Sequence, residues 1–413
     1  MRKVKYIILG AGPSGLALAH TLHDCGTPLS EILVLEKEAA PGGLCRSEIV
    51  DEAPIDIGGG HFLDVKHREV LDLLFRFLPE DEWNRHARVS KINIFGRSID
   101  HPFESNLWQL DIDTQVDYIE AIAKAGCVRG EPAPKSFAAW IEWKFGERIA
   151  VDYMLPYNRK IWSMDPDCLG TYWLYKLPNV SFRETVASCL QGKPFGSLPA
   201  HGVFLYPKCH GYGEVWKRMG DALGDSLITG VEISSIIPDQ LIINGTWQAE
   251  HIFNSVPWHR WLEWLKIPEE IVEDITALRN VGIDVEYVPD TLACDAHWIY
   301  EPDESVAHHR KLLRSNFCPG SRGYWTETNS KRSNESAAWR HSNEYAYPVN
   351  TIDKPTRVGR ILEWAERNRI TGFGRWGTWE HMNSDIAVKQ AIKLGEETAE
   401  APKMRLNFNQ LTK

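Results

Sequence analysis

The sequence predicts an α/β fold. A Rossmann-like, dinucleotide-binding unit is split along the chain around an inserted, largely helical region, with additional strands elsewhere. Three observations predict this. The chain opens on a strand–helix–strand pattern with a glycine turn at its first junction. From about residue 80 to 200 the pattern changes to short helical stretches carrying Trp83, Trp108, Trp140, Trp143, Trp162 and Trp173, and glycine turns become rare. Strand-like runs then return at 227–256 and 283–300, and helical ones at 356–369 and 385–397.

The opening unit reads as a buried strand over 4–9, a helix over 14–24 and a second strand over 31–36, the length of a βαβ unit. Gly10-Ala11-Gly12-Pro13-Ser14-Gly15 matches GxGxxG. In that motif the first glycine makes the tight turn, the second admits a pyrophosphate, and the third lets helix and strand pack closely. The helix N-terminus then offers free N–H groups and a positive dipole end to phosphate. Glu36 ends the next strand, where a carboxylate accepts from ribose hydroxyls and disfavours a 2′-phosphate; Lys37 follows it. Gly42, Gly43 and Leu44 form a turn able to pass close to a phosphate or a cofactor edge, and Arg46 supplies charge. A simple turn explains the Gly42-Gly43 pair equally well on pattern alone, and the fingerprint does not separate FAD from NAD. Residues 66–78 read as an amphipathic helix, and the Ser-, Asn- and Arg-rich stretch 315–345 reads as a loop or lid.

With 413 residues, 43% of them hydrophobic, the chain is long enough for two or three domains and a core able to hold a large cofactor. A net charge of −10 argues against nucleic acid as the main partner, since phosphate neutralisation needs surplus Lys and Arg. The eight cysteines include no CxxC pair, so no metal site is expected, and a reducing cytoplasm is the expected location. The basic start ahead of an apolar run mimics a signal peptide, but Gly10, Gly12, Pro13 and Gly15 interrupt it. No segment approaches the roughly 18 apolar residues of a membrane span. The expected partner is a small-molecule substrate, and a homo-oligomer is left open.

The stretch "VLEKEAAPGGLCRS" resembles the FAD-binding N-terminus of the flavin amine oxidase, protoporphyrinogen oxidase and UDP-galactopyranose mutase superfamily. "IDIGGGHFL" (55–63) resembles the stretch that passes the isoalloxazine ring in those proteins. The resemblance implies a glutathione-reductase-type FAD-binding domain with non-covalent FAD, and Gly58, Gly59, Gly60 and His61 near the flavin. Further matches run down the chain: Pro102-Phe103 with Asn106 and Leu110; "FAAWIEWKFGERIAVDYMLPYNRKIWSMDP" (137–166); "FLYPKCHGYGEVWKRM" (204–219); and "GFGRWGTWEHMNSDIAVKQAI" (372–392). They cover nearly the whole chain and lie closest to the mutase-like and protoporphyrinogen-oxidase-like branch. They imply a backbone contact from Val231 to adenine and a C-terminal flavin motif led by Gly374 and Arg375. Arg375 can pair with a phosphate. Asn383 or Ser384 can cap the following helix, whose first turn, with Ile386, would face the cofactor. The implied domains are 1–78, 200–258 and 355–400 for FAD, with 79–199 and 259–354 as the substrate or cap region.

His61 is the candidate for positioning substrate and tuning the flavin. Two reactions compete. Oxidation at flavin N5 of a polar, nucleotide-linked or sugar-like substrate leads; the alternative implied by the mutase resemblance is a redox-neutral rearrangement that uses reduced FAD. A purely structural flavin protein is the weakest reading. A diphosphate site would draw on Tyr157, Arg159, Lys160, Arg183, Arg314, Tyr345 and Tyr347. The mutases carry an arginine-rich segment where this chain has residues 172–183 with only Lys176 and Arg183 as cations, which weakens the mutase assignment. Trp258, Trp261 and Trp264 could stack on a sugar-like substrate or serve as core.

Overall fold

The first strand, Arg2–Leu9, sends alternate side chains to opposite faces. Tyr6 and Ile8 join one core cluster, while Ile7 and Leu9 join another with Trp258, Trp261 and Ile361. Burial on both faces is the property of a central parallel strand. In the computed structural model, which describes residues 1–174, 180–195, 202–333 and 337–410 (401–410 as backbone alone), that strand pairs in parallel with Ile32–Leu35 on one side and Trp247–Asn254 on the other. Leu227–Ile228 extends the sheet beyond Ile32–Leu35. Ile370–Gly372 pairs in parallel with the end of Trp247–Asn254. Two short antiparallel strands, Ile242–Ile243 and Ile236–Ile237, complete seven. The helix Pro13–Asp24 lies on this sheet beside the last helix, Ser384–Gln410.

A second seven-stranded sheet runs in the order Arg340–Pro348, Asn280–Val288, Tyr324–Asn329, Arg310–Leu312, Trp298–Tyr300, Ser90–Ile94, Arg97–Asp100. It is antiparallel except where Trp298–Tyr300 meets Ser90–Ile94. The expected loop over 315–345 is corrected here, because it supplies Tyr324–Asn329 and the start of Arg340–Pro348. The strand Tyr324–Asn329 looks loop-like in sequence because its buried positions are polar: Thr326, Glu327, Thr328 and Asn329 are all buried. Residues 334–336 lie outside the described residues.

The inserted region is helical from Ile112 onward, through Ile112–Ala123, Phe137–Ile149, Leu155–Trp162 and Phe182–Gln191. Its opening is not. Trp83–Ala87 pairs with Val203–Pro207, which also pairs with Leu63–Asp64, and the next two strands are the edge of the second sheet. The expected helix over 66–78 is shorter, Arg68–Leu74. The helices expected at 356–369 and 385–397 are Lys354–Arg367 and Ser384–Gln410. No helix among the described residues is long and apolar enough to cross a membrane.

Candidate functional site

A cleft of about 600 Å3 opens where the first sheet's strand ends meet the edge of the second sheet. The first strand ends in it, and the glycine turn carries the chain into Pro13–Asp24. Gly10, Gly12, Pro13 and Ser14 line it, as do Glu36, Lys37, Gly43, Leu44 and Arg46, then His61, Val231, Tyr345, Arg375, Asn383 and Ser384. Segments far apart in sequence therefore meet at one wall. Gly15, Gly42, Gly58, Gly59, Gly60, Gly374 and Ile386 do not line it. Of these, Gly15 and Gly374 pack the turn instead: a Cβ on Gly15 would lie 1.9 Å from the Gly10 carbonyl, and one on Gly374 would lie 2.3 Å from the Ser14 hydroxyl.

Two features fit a dinucleotide. A Cβ built on Gly12 meets nothing within 4 Å, so the backbone here borders open space. The helix that starts at Pro13 has no side-chain cap at Gly12, leaving its first N–H groups for an anion. Glu36 is buried; its carboxylate accepts the Ala11 N–H at 2.7 Å and the Glu38 N–H at 2.9 Å. It thus braces the glycine turn, and its remaining lone pairs stay open to ribose hydroxyls. The Val231 N–H donates to the Glu36 carbonyl at 2.9 Å, so a contact from its backbone to a base falls to its carbonyl.

At the inner end, His61 Nδ1 lies 2.9 Å from the Gly59 carbonyl. A carbonyl only accepts, so Nδ1 carries the proton and Nε2 is an acceptor. Burial, helped by the Arg375 charge, lowers the His61 pKa to about 4, so the ring is neutral at pH 7. It stacks on Tyr212, whose hydroxyl is 2.8 Å from the Ser384 hydroxyl. Arg375 differs from its expected role as a phosphate partner. Three of its five N–H donors go to carbonyls, Met382 at 3.1 and 2.6 Å and Ala346 at 2.9 Å. It fastens the 373–382 turn to the end of Arg340–Pro348 and leaves a positive charge in the cleft wall.

Beneath His61 lies Asp56, fully buried, with Oδ1 accepting from the Ser47 hydroxyl at 2.6 Å, the Tyr206 hydroxyl at 3.1 Å and the Tyr212 N–H at 3.1 Å. Burial raises its pKa to about 7 against these bonds.

Beside His61, the second sheet supplies a group that the sequence reading missed. Arg310 pairs with Glu327, and Arg310 Nε to Glu327 Oε2 is 3.0 Å. His309 Nε2 is 3.5 Å from the same oxygen. Tyr157 packs against Tyr300 and His309. Tyr347 lies beneath Arg375, 5.9 Å from its guanidinium. The only sequence signals are the run His308-His309-Arg310 and the polar Thr326-Glu327-Thr328, neither with a spacing that marks a site.

The remaining substrate candidates do not converge. Arg159 and Arg183 are exposed and do not line the cleft. Lys160 is fully buried and donates to the Glu301 and Asp303 carbonyls, both at 2.7 Å. Arg314 donates to the Val50 and Ala53 carbonyls at 2.8 and 2.9 Å. Lys176 lies outside the described residues. Trp258 and Trp261 are core, whereas Trp264 lines the cleft with Tyr345.

Residues 8–77 match the family model of the NAD(P)-binding Rossmann-like domain. A UDP-galactopyranose mutase of Mycoplasma pneumoniae is 24% identical over 210 residues, 47% of this chain and 50% of that protein. The chain spans about half the length of the curated relatives it matches. Among solved structures, a reduced UDP-galactopyranose mutase superimposes with a TM-score of 0.85 at 22% identity, covering 96% of this chain and 93% of that one. A protein of Exiguobacterium sp. 255-15 assigned as a protoporphyrinogen oxidase gives 0.72 at 12% identity over 96% and 98%. Cyclohexylamine oxidase from Brevibacterium oxydans gives 0.66 at 15% over 98% and 99%. Residues 8–77 are therefore similar to the NAD(P)-binding Rossmann-like domain family, and the chain as a whole has the fold seen in UDP-galactopyranose mutase, the protoporphyrinogen-oxidase-like protein and the amine oxidases.

Proposed function

We propose that the chain is an FAD-dependent enzyme acting on a polar, sugar-like substrate beside His61. The observation that carries this is the cleft: open space at Gly12, an uncapped helix N-terminus, and a neutral histidine and an arginine at its inner end. Its volume falls within the roughly 300–1,000 Å3 of ligand sites. The resemblance of residues 34–47 and 55–63 to flavin-binding segments supports FAD over NAD. Bound there, FAD supplies hydride or electron-pair chemistry at its ring.

The chain's own residues do the rest. The Gly12 and Ser14 N–H groups and Arg46 would hold the pyrophosphate, and Glu36 would take the ribose. His61 presents an acceptor nitrogen to a substrate hydroxyl, and Arg375 keeps positive charge at the inner end. Arg310, Tyr157, Tyr300 and Tyr347 do not themselves line the cleft; grouped beside the Gly59–His61 loop and Arg375, they are the donors we assign to an oxygen-rich substrate.

For the reaction we favour redox-neutral rearrangement, supported by the likeness to UDP-galactopyranose mutase over nearly the whole chain. Net oxidation is the second reading. It is supported by the placement of Arg159 and Arg183 away from the cleft and by carbonyl bonding of Lys160 and Arg314, which leave a diphosphate few cations. Anaerobic flavin spectra with nucleotide sugars, free sugars and amines separate the two. Turnover that requires dithionite-reduced protein and consumes no electrons supports rearrangement. Bleaching of oxidised flavin by substrate alone supports oxidation. A colourless protein that takes up no FAD on reconstitution refutes both.

A further inference from the structure

We infer that Glu327 is a positioning residue linking Arg310, on the substrate side, to the Gly59–His61 loop on the flavin side, so that a group bound at Arg310 alters the electrostatics at the flavin. This rests on the FAD reading above.

The geometry is a relay through one carboxylate. Glu327 sits on Tyr324–Asn329 with no exposed surface. Its Oε2 takes the Arg310 guanidinium, and its Oε1 accepts the Gly60 N–H at 2.7 Å. The loop closes directly on it: Gly59 has φ +95°, and a Cβ there would lie 2.6 Å from Oε1. The Gly59 carbonyl in turn accepts the His61 Nδ1–H at 2.9 Å. Arg310, Glu327, the Gly59–Gly60 backbone and His61 thus form one unbroken line into the cleft.

Holding the loop needs only a neutral acceptor; an amide oxygen or a carbonyl would serve the Gly60 N–H. A carboxylate shared with an arginine does more. The Arg310 side chain keeps 19% exposure where Glu327 keeps none, so the cation retains an accessible side. Two of its five N–H donors are spent on Glu327, leaving three. A ligand that draws on them competes for the charge that Glu327 now holds. In a buried setting such a change is weakly screened. Glu327 and Arg310 both act on the charge state of His61, in opposite directions. Burial would raise the Glu327 pKa, but the Arg310 charge and the bonds from His309 and Gly60 hold it down at about 2, so the carboxylate stays ionised.

The test uses the FAD-loaded protein and reads the flavin midpoint potential, which a purely structural role would not move. Glu327→Gln keeps an oxygen for the Gly60 N–H and removes one negative charge, so FAD is retained and the potential rises. Adding Arg310→Gln removes the paired positive charge and abolishes at least half of that rise. Glu327→Gln leaves a buried cation uncompensated and can cost folding. The double variant removes both charges and gives an independent reading: UDP, as an anionic probe, perturbs the flavin absorbance of the parent protein and not that of the double variant. An unmoved potential in FAD-loaded Glu327→Gln, an equal rise in single and double variants, or an unchanged UDP response in the double variant overturns the proposal while leaving the FAD reading intact. A parent protein that takes up no FAD overturns both.

Discussion

Three residues show how one local chemistry serves different ends. Gly12 and Gly15 belong to the same motif, yet only Gly15 is needed by the folded chain itself, since its Cβ would drive into the Gly10 carbonyl. Gly12 borders open space. Gly12→Asp should therefore fold with an unchanged Tm and lose FAD, because the carboxylate would occupy and repel the pyrophosphate; normal flavin content in the purified variant would refute the assignment of that space. Asp56 makes a pH prediction. Its proton is lost near the ordinary value of 3.8 when unfolded but near 7 when folded. The folded chain binds the extra proton between those values, so this group's contribution to stability is complete below pH 3.8 and falls as pH rises through 7. Asp56→Asn mimics the protonated form and keeps an oxygen for Ser47, Tyr206 and Tyr212. It should gain stability relative to the parent as pH rises from 5 to 8, by up to a few kcal/mol, read by denaturant unfolding. A constant difference across that range would count against a proton on Asp56.

At the scale of elements, the helix Leu155–Trp162 carries residues that looked like substrate ligands and turn out to face different ways. Arg159 is exposed, Lys160 is buried against two carbonyls, and Tyr157 packs against Tyr300 and His309. Lys160 thus fastens this helix to the loop after Trp298–Tyr300. Lys160→Met would leave both carbonyls unpaired, at about 1–3 kcal/mol for each buried group. The expected result is a Tm lower by several degrees with FAD content and the UDP-induced flavin change intact. Loss of the UDP response at unchanged Tm would return Lys160 to the substrate site.

For the molecule as a whole, the cleft is built from the first strand and turn, the residues after Trp247–Asn254, the edge of the second sheet and the start of the last helix. A ligand touching all four binds the folded chain and not the unfolded one. FAD should therefore raise the unfolding free energy by about 2.7 kcal/mol at a hundredfold excess over Kd and protect the 373–387 segment from proteolysis together with the N-terminal unit. Calorimetry with and without FAD, and limited proteolysis read by mass spectrometry, check this. Protection confined to the first 80 residues would mean that the C-terminal segment does not share the site.

What the sequence determined by itself was the local chemistry. GxGxxG followed by Glu36 is short-range: strand, turn and helix are neighbours in the chain, and a glycine's consequence is felt within a few residues. The 55–63 and 372–392 stretches were legible only by resemblance, since their spacing alone does not distinguish a cofactor contact from a turn. The fold decided what each charged side chain is for. Arg375 and Arg314 look like phosphate partners in sequence, and the tertiary structure turns them onto backbone carbonyls. Glu327 sits in the stretch that read as loop and Arg310 in one that was given no element, yet they form a buried pair because two strands of one sheet, Arg310–Leu312 and Tyr324–Asn329, align them. Charge pairing across 17 residues depends on strand register, and register is set by packing, which no local pattern in this sequence records.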